Sequence, residues 1–160
     1  MSRSKSNGIF LVGAGGHAMV VAEAAELAGL TVLGVYDDDP DAAACRIQRL
    51  RHLGKMRDVP AAGPFILALG DLSVRRRFIK KLDPAAARRI VHPQSIVHAS
   101  ARIGPGVYVG PGAIVHAFAA VAAHAILNSG SIIEHECEIG ENTHIAPGAV
   151  LGGRVRVGAD

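Results

Sequence analysis

Residues 126–151 read ILNSGSIIEHECEIGENTHIAPGAVL, and an aliphatic residue recurs in this stretch at every sixth position. The same spacing extends from residue 91 to residue 157. It holds at twelve successive positions, which we call the ladder: Val91, Val97, Ile103, Val109, Val115, Val121, Leu127, Ile133, Ile139, Ile145, Leu151 and Val157. An α-helix places its apolar residues three or four positions apart. A period of six is typical of a parallel β-helix, which we therefore predict for residues 89–160.

A second pattern accompanies the ladder, because a small or β-branched residue stands four positions after each ladder residue. Ala113, Ser131 and Cys137 are examples. Three six-residue segments close one triangular coil, so residues 18 apart are expected to stack. Cys137 occupies one of the inward small positions, and we interpret it as a core residue rather than a nucleophile.

The first half of the chain alternates short apolar runs with helical segments. This alternation predicts a parallel sheet with helices packed on it, a Rossmann-like unit spanning residues 1–88. The predicted elements are strands at 9–12, 31–36 and 64–69, an Ala-rich helix at about 17–28 and a basic helix at about 72–82.

A glycine-rich loop follows the first predicted strand. Gly13, Gly15 and Ala18 fit the G-x-G-x-x-A pattern, and Asp37 stands about twenty residues later. Glycines let the backbone approach a ligand, and the next helix points free N–H groups at the same place. We predict a nucleotide site here. A nicotinamide-dependent oxidoreductase and a plain tight turn remain alternatives.

Histidines concentrate in the second half, and His135 stands out among them. It lies two positions after ladder residue Ile133, near a predicted corner, between Glu134 and Glu136. A carboxylate beside an imidazole fixes its tautomer and raises its basicity, as a general base requires. A lone surface histidine is the other interpretation. No two histidines are five residues apart, the separation of one histidine pair in the zinc-binding γ-class carbonic anhydrases, and we expect no metal.

The composition of the chain argues against a membrane protein, a secreted protein and a nucleic-acid-binding protein. The 160 residues include two cysteines and no long apolar run, and the chain starts MSRSKSN without the apolar stretch of a signal peptide. We expect a cytoplasmic protein without membrane insertion.

The net charge is +3, and the basic residues cluster between Arg75 and Arg89. No aromatic residues interleave with them, which argues against nucleic-acid binding. We interpret the cluster as a solvated helix face, with a surface that attracts phosphorylated molecules as the alternative.

These motifs together resemble a known family. The loop GAGGH at 13–17, the Asp37-Asp38 pair and IIEHEC at 132–137 followed by His144 are similar to the bacterial nucleotide-sugar acetyltransferases. That family includes the N-acetyltransferases of UDP-4-amino-sugars and the related sialic acid O-acetyltransferases. The resemblance implies a left-handed β-helix that forms homotrimers, with acetyl-CoA between neighbouring helices.

The resemblance also implies roles for individual residues. His135 would be the general base and Glu136 would raise its basicity, while His144 would lie near the acetyl-CoA thioester. The remaining positions would surround the nucleotide sugar: Gly13, Gly15, Gly16, His17 and Gly70 at the phosphates and ribose, with Asp37 and Asp38 near the uridine. The implied activity is transfer of acetyl from acetyl-CoA to the amine of a UDP-amino-sugar.

Two alternatives to that activity remain open at this stage. One is O-acetylation of a sugar such as sialic acid, and the other is a non-catalytic trimer that binds nucleotide sugars. Members of the family continue for further coils past the position of residue 160. We therefore expect that the β-helix domain is truncated at its C-terminus, which leaves open whether the acetyl-CoA site is complete.

Overall fold

The computed structural model describes residues 7–160 of the chain. Residues 1–6 lie outside this range, and they are most of the polar start from which the sequence predicts no signal peptide. None of the helices in the described part is long and apolar enough to cross a membrane.

The first unit is a four-stranded parallel sheet with helices on both sides. Its strands stand in the order β3-β2-β1-β4. The chain therefore steps from β1 to one side through β2 and β3, and then places β4 on the other side of β1. Such a reversal is where open α/β sheets bind their ligands. The elements are β1 (Gly8–Val12), α1 (Gly16–Leu27), β2 (Thr31–Tyr36), α2 (Ala43–Arg46), β3 (His52–Gly54), β4 (Phe65–Leu67) and α3 (Leu72–Lys81).

The second unit confirms the predicted left-handed β-helix. Twelve two-residue strands follow one another, and each ends on a ladder residue: β5 (Ile90–Val91), β6 (Ile96–Val97), β7 (Arg102–Ile103), β8 (Tyr108–Val109), β9 (Ile114–Val115), β10 (Ala120–Val121), β11 (Ile126–Leu127), β12 (Ile132–Ile133), β13 (Glu138–Ile139), β14 (His144–Ile145), β15 (Val150–Leu151) and β16 (Arg156–Val157). Residues 18 apart pair in parallel, for example Val121 with Ile103 and Ile139.

The strands of the β-helix form the three sides of a triangular prism. Face 1 contains β5, β8, β11 and β14, face 2 contains β6, β9, β12 and β15, and face 3 contains β7, β10, β13 and β16. The third residue after most ladder positions has a positive φ, and this conformation turns the chain from one face to the next. Glycine provides it at Gly106 and Gly130, whereas Glu136 adopts it with φ of 60° despite its side chain.

Ladder residues and the small residues of the second pattern fill the prism. Val109, Ala113, Ile133 and Cys137 are among its fully buried members. The prediction that Cys137 is a core residue is confirmed, and neither cysteine forms a disulfide.

Outward-facing residues give the three faces different surfaces. On face 1, Ile90, Tyr108 and Ile126 are buried against α1, so this face carries the α/β unit. The matching column on face 2 is apolar throughout but has no such cover in one copy of the chain: Ile96, Ile114, Ile132 and Val150. Ile96 and Val150 are 56% and 64% exposed. On face 3 the column is mostly charged, with Arg102, Ala120, Glu138 and Arg156.

Candidate active site

The glycine loop connects β1 to α1 and combines one structural glycine with two open positions. Gly13 has φ of 100°, and a Cβ built there would lie 2.6 Å from the Leu69 side chain. A Cβ at Gly15 or Gly16 would meet no atom within 4 Å. Gly15 caps α1 without a side-chain hydrogen bond, and the first turn of the helix carries no acidic residue. The loop therefore presents unobstructed backbone and a positive helix end, which suits a phosphate.

Gly70 lies beside this loop, because β4 pairs with β1 and both strands end at the same edge of the sheet. It follows β4, and a Cβ built on it would also meet no atom within 4 Å. The structure thus brings the predicted glycines Gly13, Gly15, Gly16 and Gly70 together at the reversal point of the sheet.

The two predicted aspartates already have structural partners. Asp37 accepts hydrogen bonds from the backbone N–H groups of Ala14 at 2.7 Å and Asp39 at 2.9 Å, so its carboxylate fastens the glycine loop to the end of β2. Asp38 accepts a hydrogen bond from the Met56 N–H at 3.1 Å. Both aspartates follow β2 at the edge of the sheet, and they hold its loops in place.

His17 lies at the start of α1, against face 1 of the β-helix. Its ring meets the Tyr108 ring edge to face, with centroids 5.4 Å apart. Burial, followed by the charges of Arg75 and His144, lowers the pKa of His17 to about 4, so the ring is neutral near pH 7. His144 is exposed on face 1, where its Nε2 lies 3.0 Å from Nδ2 of Asn128. Burial and Arg75 also lower the pKa of His144.

Arg75 is a residue whose position the sequence did not reveal. It belongs to the predicted solvated face of the basic helix, yet it is 1% exposed. Its guanidinium donates to the carbonyl oxygens of Leu67 at 2.8 Å and Leu69 at 3.2 Å in the α/β unit. It also donates to Asn142 Oδ1 at 2.9 Å and to the His124 carbonyl in the β-helix. The prediction of a solvated face is therefore wrong for Arg75, because this side chain joins the two units.

Burial lowers the pKa of Arg75 to about 10, which leaves the group charged near neutral pH. A buried cation held by neutral oxygen acceptors makes protonation of a nearby imidazole unfavourable. His124 shows the effect, since burial and then Arg75 lower its pKa to about 4.

His135 stands at the corner between faces 2 and 3. Its Nδ1 lies 3.0 Å from Glu136 Oε2, and the two side chains are 49% and 53% exposed. A carboxylate acceptor at Nδ1 favours the tautomer with the proton on that atom and leaves the Nε2 lone pair free. The geometry that the sequence predicted for His135 and Glu136 is present, and Nε2 has no hydrogen-bond partner among the described residues.

The predicted residues fall into two groups within one copy of the chain. The glycines, the aspartates, His17 and His144 lie at the sheet edge or on face 1. His135 and Glu136 lie at the corner between the other two faces, and in a three-sided prism that corner is opposite face 1. One copy therefore does not bring the proposed base to the glycine loop.

His98 and His116 are 18 residues apart, and they stack as the coil length predicts. The rings of His98 and His116 are 4.8 Å apart on face 2, and His116 Nε2 lies 3.7 Å from Glu134 Oε1. Among residues 7–160, no group of three His, Cys, Asp or Glu side chains is arranged to hold a metal ion.

Comparisons with known proteins agree with both units. Residues 8–82 match the PglD N-terminal domain, and residues 118–153 match the bacterial transferase hexapeptide family of six repeats. A search of curated proteins finds no match. These assignments give no support to the nicotinamide-dependent alternative.

Solved structures resemble the whole chain. PerB from Caulobacter crescentus, in complex with CoA and GDP-perosamine, is 26% identical with a TM-score of 0.80, over 99% of this chain and 86% of that one. A mutant GDP-perosamine N-acetyltransferase from the same organism, with a histidine replaced by alanine, is 25% identical with a TM-score of 0.81, over 98% and 80%.

The acetyltransferase domain of PglB from Neisseria gonorrhoeae FA1090 has a TM-score of 0.80 over 96% of this chain and 86% of that one. At 24% identity it supports the fold alone. The two domain matches stand in the order that the sequence motifs predicted, and together with the solved structures they support an acetyltransferase that is similar to hexapeptide-repeat transferases and carries a PglD-type N-terminal domain.

Proposed function

We propose that this acetyltransferase moves the acetyl group of acetyl-CoA to the amine of a nucleotide-linked amino sugar, with His135 as the general base. The observation that carries the proposal is the His135–Glu136 pair, a half-exposed imidazole whose Nδ1 faces a carboxylate at 3.0 Å. We further propose that residues 1–88 bind the nucleotide sugar and residues 89–160 form the acyl-transfer domain. The cytoplasmic location stays a prediction.

The reaction needs one proton acceptor and no acyl-enzyme. The sugar amine attacks the thioester carbonyl carbon while His135 Nε2 takes a proton from the amine nitrogen. The C–S bond then breaks, and the thiolate of CoA leaves with the proton that His135 Nε2 had accepted. Glu136 stabilises the imidazolium that forms between these steps. In the mutant of the Caulobacter enzyme, a histidine is the residue replaced, which is consistent with such a role.

The glycine loop supports the nucleotide part of the proposal. Open backbone at Gly15 and Gly16, the end of α1 and the neighbouring Gly70 suit a diphosphate at the reversal point of the sheet. We propose UDP as the nucleotide, as the resemblance implied, and PerB with its GDP-linked sugar makes GDP the second candidate.

The corner that carries His135 borders a groove on face 3. The groove has a volume of about 570 Å³, and Arg102, Arg156 and Glu138 lie along it. Glu138 pairs with Arg156 at 3.2 Å, and the two arginines leave a net positive charge that suits the phosphates of CoA. We place acetyl-CoA beside this corner, with its thioester within reach of His135.

The separation of the two groups of site residues leads to an assembly proposal. A second copy must bring its glycine loop and His144 to the His135 corner of the first. The apolar column on face 2, adjacent to this corner, is the surface that such a contact would cover. We propose a homotrimer built on this contact, since a head-to-tail contact whose rotation closes forms a ring and the resemblance implied three copies.

A thiol-release assay tests the activity. The protein is incubated with acetyl-CoA and, in turn, UDP-4-amino-sugars, GDP-4-amino-sugars and free sialic acid. We expect CoA release with a nucleotide-linked amino sugar and none with sialic acid. Release with sialic acid alone would favour O-acetylation, and calorimetric binding of a nucleotide sugar without CoA release would indicate a non-catalytic module.

Sedimentation equilibrium tests the assembly. We expect a trimer for the wild type and a smaller species for Ile132→Lys, which places a charge in the middle of the face 2 column. Glu138→Lys on face 3 is the control and is expected to remain trimeric. A monomeric wild type would contradict the shared site.

A further inference from the structure

The corner at residues 152–154 lies one coil after the corner that holds His135, and the two are in direct contact. The Arg154 N–H donates to the His135 carbonyl at 2.9 Å, and Cys137 Sγ donates to the Gly152 carbonyl at 3.1 Å. The Nε atom of Arg154 lies 3.5 Å from Glu136 Oε2. The backbone of one corner therefore anchors the backbone of the other.

Gly153 is the point where the imidazole itself rests on this corner. A Cβ built at Gly153 would lie 2.6 Å from both Cε1 and Nε2 of His135. Such distances are too short for a carbon atom to occupy, so the ring can lie where it does only because residue 153 has no side chain. One of the two atoms in contact is Nε2, the proposed proton acceptor.

The overlap would be relieved by movement of the ring rather than of the backbone. The His135 side chain is half exposed and can rotate away, whereas the hydrogen bonds of residues 152–154 hold the corner in place. A methyl group at residue 153 would thus displace the imidazole at little cost in stability.

We propose that Gly153 is a positioning residue for His135. Because it has no side chain, it leaves room for the imidazole in the orientation that keeps Nδ1 on Glu136 and turns Nε2 toward the acceptor amine. The inference rests on the proposed function of His135, and Gly153 acts through that ring.

Adjacent glycines provide a matched pair of variants. Gly153→Ala adds the methyl group that overlaps His135, while Gly152→Ala adds the same group where no atom lies within 4 Å. Neither glycine has a positive φ, so alanine does not strain the backbone at either position. We expect Gly153→Ala to lower kcat by about 100-fold, the loss that a misplacement of about 1 Å produces. Gly152→Ala should keep kcat within about threefold of the wild-type value. Both variants should have the melting temperature of the wild type.

A second measurement does not depend on activity. The Cε1–H and ring nitrogen NMR signals of His135, assigned by comparison with His135→Ala, should move in Gly153→Ala and stay in place in Gly152→Ala. Unmoved signals and unchanged kcat in Gly153→Ala would overturn the positioning role. If the wild type released no CoA with any substrate, the proposed function would fail, and the NMR comparison would still decide whether Gly153 positions the ring.

Discussion

His17 and His135 are both predicted site residues, and the structure places them in opposite environments. His17 is packed against Tyr108 near the buried cation of Arg75, and its pKa is lowered to about 4. His135 is half exposed at the far corner of the prism with a carboxylate at 3.0 Å. The first environment keeps an imidazole neutral and fixed, and the second leaves one nitrogen free to take a proton. We propose that the same residue type serves binding in one region and proton transfer in the other.

The largest expected effect is the loss of the proton acceptor. His135→Ala should lower kcat by about 10²–10⁴-fold, the range for a lost general base. Its melting temperature should stay near that of the wild type, because the ring is half exposed. Steady-state thiol release under saturating substrates measures the effect. A rate within threefold of the wild type would remove His135 from the mechanism and end the functional contrast with His17.

The buried environment around His17 depends on Arg75, which joins the two units. Arg75→Ala leaves the carbonyls of Leu67 and His124 and the Asn142 side chain without their donor, and we expect it to lower the free energy of unfolding by about 3–5 kcal/mol. For a chain of this size the melting temperature should fall by roughly 10 °C. Arg77→Ala, on an exposed position of the same helix, is the control and should shift it by at most about 2 °C. Equal melting temperatures for the two variants would contradict the joining role of Arg75.

Stability at acid pH tests the buried histidines. The folded-state pKa of His124 is about 4, below its ordinary value of 6.5. The unfolded chain therefore takes up a proton first as the pH falls, and the free energy of unfolding decreases between pH 6.5 and about 4. His124→Asn removes this proton uptake and suits the positive φ of 59° at this position. Urea unfolding across this window should show a shallower decrease for the variant, whereas parallel curves would show that His124 is not kept neutral.

Of the four changes proposed in this Discussion, removing the charge of the carboxylate beside His135 should have the smallest effect. Glu136→Gln keeps the size of the side chain and removes its charge, so the imidazolium formed during transfer loses its stabilising partner. We expect kcat to fall by about tenfold. Glu26→Gln, which removes an exposed carboxylate in the last turn of α1, should leave kcat unchanged. Equal rates for both variants would show that the Nδ1 contact is dispensable.

Sequence periodicity was sufficient to predict the β-helix because its determinants are local. Each ladder residue repeats the same relation to its neighbours, so counting by six placed Ile133 inside and His135 at a corner. Counting by 18 also assigned residues to stacked positions. The glycine loop was predictable for a similar reason, since Gly13, Gly15 and the start of α1 are contiguous.

Features formed by distant residues were not predictable. Arg75 contacts residues 49 and 67 positions away, and nothing in a basic helix indicates which arginine is buried. Strand β3 (His52–Gly54) was missed because it is short and only half buried. The sequence also did not tell which face of the prism the α/β unit covers, because Tyr108 and Ile126 on face 1 and Ile114 and Ile132 on face 2 are equally apolar.

Subunit complementation tests the central claim most directly. Gly15→Val fills the open space of the glycine loop, and His135→Ala removes the base, so each variant alone should release almost no CoA. After the two are unfolded together and refolded as a mixture, hybrid assemblies contain sites with an intact loop from one copy and an intact His135 from another. The account predicts that the mixture regains a substantial share of wild-type CoA release. A mixture as inactive as its components, although mass spectrometry shows hybrid assemblies, would contradict a site shared between copies.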